Sequence, residues 1–150
     1  MKRFSFRLDS LLHLRSALER MQGAALGNAD AAAGEQRVNA AASDSRLADV
    51  QQQATGSTTE AQPAGLWHAV GLSVDAARVQ AELDAEALAE AERQRAIELE
   101  RFAEARSARQ VLERLREKKV ADWTVEVGRA ERQESDEIVR QRLIQGDQKS

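Results

Sequence analysis

The side chains that could do chemistry here are few and badly placed for it. His13 and His68 are the only histidines, and neither has a second histidine or a cysteine at ligand spacing. Both are expected to be solvated rather than to bind a metal or move a proton. The carboxylates Glu82, Asp84, Glu86, Glu90 and Glu92 are dense enough to suggest a metal site. Helix-bundle sites of that type also need Glu-x-x-His pairs from facing helices, and the chain contains none. A solvated acidic face is the expectation. The basic run from Arg106 to Lys119 could meet phosphates, but Glu113 and Glu117 interrupt it, no aromatic platform interleaves it, and the chain is acidic at net −3. There is no glycine-rich phosphate loop and no Ser/His/Asp arrangement. The expectation is a non-enzyme with no cofactor, no metal and no nucleic-acid partner.

What remains is contact chemistry. Phe4 and Phe6 are two of only three phenylalanines in 150 residues, and they sit on a short basic leader, Lys2-Arg3. At a frayable end, solvent does not repay large aromatics, so they must pack on this chain or on a partner. Leu8, Leu11, Leu12 and Leu14 then open a helical pattern.

The elements that must position these groups follow from composition. Aromatics are 3%, charged residues 31%, cysteine and tyrosine are absent, and proline occurs once. Such mixtures mark long or coiled-coil helices with a thin aliphatic seam. The first segment runs from about 6 to 53. Leu11, Leu14, Leu18, Met21 and Ala25 step by three and four like a heptad seam, which continues through Ala32, Val38, Ala42, Leu47 and Val50. Residues 54–71 hold Gly56, Pro63, Gly65 and Gly71 and read as a turn, closed by Trp67. The second segment runs from about 72 to 144, with a frayed tail over 145–150. Acid-before-base pairs such as Glu90–Arg93 and Glu98–Arg101 support it as an exposed helix. Residues 51–100 are strongly acidic and 101–150 slightly basic, which suggests different partners along a rod.

Two helices joined by one short connection fold back antiparallel. The expected fold is all-α: a single-domain antiparallel two-helix coiled coil, a long α-hairpin whose second helix outreaches the first. At 1.5 Å per residue the two segments are roughly 70 Å and 110 Å long. Setting Val50 against 66–70 sets Leu8 near residue 109. Val111, Leu112, Leu115, Val120, Trp123, Val127 and Ile138 would then overhang without an internal partner, and a phase slip between Leu115 and Val120 falls in the same stretch. No apolar run approaches the roughly 20 residues that span a bilayer. Arg7, Asp9 and Arg15 interrupt the leader as a secretory signal, so a cytoplasmic location is expected.

Two motifs point to a family. Phe4-x-Phe6-Arg7-Leu8-x-x-Leu11-Leu12-x-x-Arg15 resembles the opening of the flagellar export protein FliJ family. Leu112-Glu113-x-Leu115, Lys118-Lys119, then Glu131-x-x-Glu134-x-Asp136-Glu137 is similar to that family's closing pattern. The resemblance implies a coiled coil like the rotor (gamma) subunit of rotary ATP synthases. It further implies a component of the flagellar type III export apparatus that inserts into and activates the ring of the export ATPase (FliI-like), contacts the export gate (FlhA-like) and escorts export chaperones. It would touch the inner face of the membrane only peripherally, through the gate. Carried over by motif, Phe4, Phe6, Leu8, Leu11, Leu12 and Arg15 form one half of a ring-inserting tip. Arg114, Lys118, Lys119, Glu131, Asp136 and Glu137 form the other. Leu112, Leu115 and Trp123 join them as apolar contacts from the overhang. A generic coiled-coil scaffold or self-associating adaptor is the competing expectation.

Overall fold

A computed structural model describes residues 3–56 and 63–147. Helix α1 is Asp9–Gly56, 48 residues, and helix α2 is Ala64–Asp147, 84 residues. Among the described residues there is no strand. The fold is an all-α pair of packed helices, the second longer than the first. The central six residues of the expected turn and the last three of the tail lie outside the described residues.

The turn is shorter than 54–71, because α2 already runs through Gly65, Trp67 and Gly71. The reason is local. Pro63 stands just before the first helical residue, where its missing N–H costs nothing and its fixed φ suits helix entry. Its carbonyl accepts the Leu66 N–H at 2.9 Å. A proline and two glycines that read as a turn are therefore a helix start. At the other end, Asp9 places a carboxylate in the first turn of α1, favourable to the helix dipole.

The chain divides into two compact units, Glu19–Ala105 and a second made of Met1–Leu18 with Arg106–Ser150. In Glu19–Ala105 the helices run antiparallel. As the α1 partner advances from Asp30 to Arg37 to Ser43, the α2 partner retreats from Arg95 to Glu92 to Asp84. Arg37 donates to Glu92 Oε1 at 2.8 Å through Nε. Exposed ion pairs contribute little energy, roughly 0.2–1 kcal/mol each, but they fix which residues face. Acid–base pairs along α2 also form, with Arg93–Glu90 at 2.6 Å and Arg101–Glu98 at 2.9 Å.

The seam itself is built of small side chains. Ala33, Ala40, Ala77 and Ala81 are the buried apolar residues, joined by Ser43. No large side chain is fully buried among the described residues. This corrects the expected seam by one position: Ala33 and Ser43 are buried where Ala32 and Ala42 were expected, and Met21 and Val38 are 65% and 69% exposed. Close approach decides the matter. A Cβ on Gly23 would stand 3.4 Å from the Phe102 ring, so α2's one phenylalanine packs on bare backbone. Farther along, the residues buried between the helices are alanines and Ser43. Large side chains on this line would hold the helices apart, and the chain puts them outside.

Asp84 carries a pH dependence. The Ser43 hydroxyl and then the Gln80 amide donate to its carboxylate, with Arg46 assisting, and hold its pKa below the ordinary aspartate value. A pKa depressed on folding stabilises the folded chain above the ordinary carboxylate value, and the contribution is lost as pH falls through the folded value. Thermal melts followed from about pH 7 down to about pH 3 should show a falling midpoint, and Ser43→Ala should flatten that fall. An unchanged slope in Ser43→Ala would remove the bond from this account.

Candidate partner-docking cleft

The second unit holds the leader and the late part of α2. Residues 3–6 are non-helical, and the Asp9 N–H closes the entry into α1 on the Phe6 carbonyl at 3.1 Å. The leader lies along α2 and brings Phe4 against Trp123, ring centroids 6.0 Å apart at 61°, an edge-to-face contact. Such pairs add about 0.5–1.5 kcal/mol beyond the area they bury. Trp123 therefore has a partner inside the chain. The expected register, with Leu8 near residue 109, is corrected: Leu8 shares a cleft with Leu115, Lys119 and Trp123. The offset is already present in the Glu19–Ala105 unit, where Gly23 meets Phe102 and Asp30 pairs with Arg95, several residues farther along α2 than setting Val50 against 66–70 would place them.

The cleft between leader and helix has a volume of about 1000 Å³ and is open to solvent. It brings together Phe4, Phe6, Leu8, Leu115, Lys119 and Trp123 of the sequence-derived set. The others do not line it. Leu11, Leu12 and Leu112 are half-buried, while Arg15, Arg114, Lys118, Glu131, Asp136 and Glu137 are exposed. Three cations and two acids of the lining escaped the sequence reading: Arg3, Arg7 and Arg129, with Asp122 and Glu126. A signal for the α2 members was present. Leu115, Lys119, Asp122, Glu126 and Arg129 follow helical steps of three and four, and only a search for apolar residues passes over them. A smaller crevice of about 240 Å³ adjoins Phe4 and Phe6, with Arg116 on its wall.

Beyond the cleft α2 continues as helix to Asp147 with no kink-forming proline. Val120, expected in the overhang beside the phase slip, is exposed, and the helix is continuous there. Ile138, Val139 and Leu143 are exposed. His13 is exposed on α1, its Nδ1 2.7 Å from the Asp9 carbonyl. No group of histidine, cysteine or acidic side chains among the described residues could hold a metal ion, and no described helix is long and apolar enough to cross a membrane.

Parts of both motifs, Phe4, Phe6 and Leu8 from one and Leu115 and Lys119 from the other, thus line one cleft. The profile of the flagellar FliJ protein family matches residues 4–148. The chain belongs to the FliJ family. As a FliJ-family chain it is a component of flagellar type III protein export. No curated protein and no solved structure matches it. The match begins at Phe4, the leader residue that packs on Trp123, and covers every cleft-lining residue except Arg3.

Proposed function

We propose that this FliJ-family chain docks into the ring of the flagellar export ATPase through the leader and late α2, raises its hydrolysis rate, and links it to the export gate and its chaperones at the inner face of the membrane. One observation carries the reading. Residues from the opening motif and from the closing half, far apart in sequence, line one solvent-open cleft of aromatic and charged groups. A mixed surface of this kind suits a stalk that must bind a ring and still turn or slip, where a purely apolar face would stick.

The test is direct. Titrating the purified chain into the export ATPase of the same cell should raise the hydrolysis rate saturably. A flat rate, with the chain and ATPase both folded, would remove the ring-docking role. A second reading, self-association as a scaffold, draws on Ile138, Val139 and Leu143, which lie exposed on α2. Light scattering separates the two: ring docking expects a monomer in solution, and the scaffold a dimer or larger.

A further inference from the structure

We propose that the cleft between the leader and α2 receives an amphipathic helix from the partner, one whose apolar stripe is flanked by carboxylates. This deepens the ring-docking reading and rests on it for the partner's identity, while the cleft's own chemistry stands apart from it.

Size and lining set the first half of the argument. The cleft is open to solvent and about 1000 Å³ in volume, enough to admit a short stretch of helix about 10 Å wide. Two turns of such a helix present the i, i+3/i+4, i+7 anchors by which a helix seats in an apolar groove. The groove offers them rings to meet, with Phe4 and Trp123 set edge to face at one wall. Aromatic anchors of this type dominate binding energy when a partner covers them.

Charge sets the second half. Four cations, Arg3, Arg7, Lys119 and Arg129, line the cleft against two carboxylates, Asp122 and Glu126. None of the four is held in an ion pair among the described residues. On α2 the two cations, Lys119 and Arg129, flank the two carboxylates, Asp122 and Glu126, at helical spacing and balance them in number. The surplus therefore lies on the leader, at Arg3 and Arg7. An uncharged helix seated there would strip water from both guanidiniums and give nothing back, and a basic one would be repelled. Carboxylates along the flank that faces the leader offset that cost and steer the approach.

The test uses the full chain with Trp67→Phe, which leaves Trp123 as its only indole. The probes are two stapled helical peptides with the same leucine stripe, one flanked by glutamates and one by lysines. The glutamate peptide is expected to shift Trp123 emission and to bind about tenfold more tightly at low salt, with the advantage shrinking as salt rises. Arg3→Glu with Arg7→Glu should abolish or invert the preference. That variant alters only the leader, outside both helices, so folding is not at stake. Equal binding of both peptides, or a preference that survives the charge reversal, overturns the proposal. A parent chain that is dimeric alone and becomes monomeric in the reversed variant also overturns it, since a second copy then fills the cleft. A chain that prefers the glutamate peptide yet leaves the export ATPase rate unchanged upholds the cleft and sinks only the docking role. One that stimulates the ATPase but binds both peptides alike does the reverse.

Discussion

Trp123→Ala is expected to raise the concentration of this chain needed for half-maximal stimulation of the export ATPase by roughly 30-fold, an anchor-sized loss of about 2 kcal/mol. Two effects combine in that figure. The indole is a wall of the cleft and would be a direct contact for whatever fills it. It is also the surface on which Phe4 rests, so its removal frees the leader, which supplies the rest of the aromatic lining. Phe4→Ala removes the smaller ring of the pair, from both the lining and the leader's contact, and should cost less. Helicity should survive both changes, because Trp123 is half-buried and the long helices do not depend on it for their own hydrogen bonds. Far-UV circular dichroism recorded beside the ATPase titration checks this. A Trp123→Ala curve that overlays the parent would exclude the cleft from ring docking. A collapse of helicity would instead assign the Phe4–Trp123 pair to the fold.

Ala33→Leu is expected to destabilise the helix pair by about 1–3 kcal/mol in urea unfolding, whereas Ala32→Leu, one residue away, should stay within about 0.5 kcal/mol of the parent. Ala33 is 0% exposed and lies on α1 between Asp30 and Arg37, the residues that reach across to Arg95 and Glu92. A leucine there has no room unless the axes separate, and separation pulls on both ion pairs at once. The loss weighs heavily because the buried apolar residues are all alanines, each contributing little hydrophobic stabilisation, and folded domains hold only about 5–15 kcal/mol in reserve. The two substitutions also decide between registers. A seam through Ala32 and Met21 predicts the opposite order of damage.

That pair of residues shows where sequence reasoning stopped. Periodicity located a seam on α1 with helical steps, because any packed helix needs one. It placed Leu14, Met21 and Val38 on that seam because they are large, yet all three are exposed. The choice turned on α2, where Phe102 packs against Gly23 and Ala77 and Ala81 are buried as Ala33 and Ala40 are on α1. Burial of area favours big residues and close approach favours small ones, and a single segment does not reveal which its partner allows. The cleft was half legible for a similar reason. Phe4, Phe6 and Trp123 stood out by rarity in a chain with 3% aromatics. Arg3, Arg7, Asp122, Glu126 and Arg129 are ordinary charged residues until the leader is laid beside the helix.

By itself the sequence determined that this chain is helical nearly throughout, that it reverses once near Gly56 and Pro63, and that its two end motifs are those of the FliJ family. These follow from local propensity, from one proline, and from residue types at fixed spacing, all of which act within a few residues of chain. Only the tertiary structure decided which face of α1 is buried, how far the leader reaches along α2, and that Trp123 meets Phe4 inside the chain. Those depend on distances between segments some hundred residues apart, set by how closely two backbones can approach, and no pattern within either segment encodes that distance.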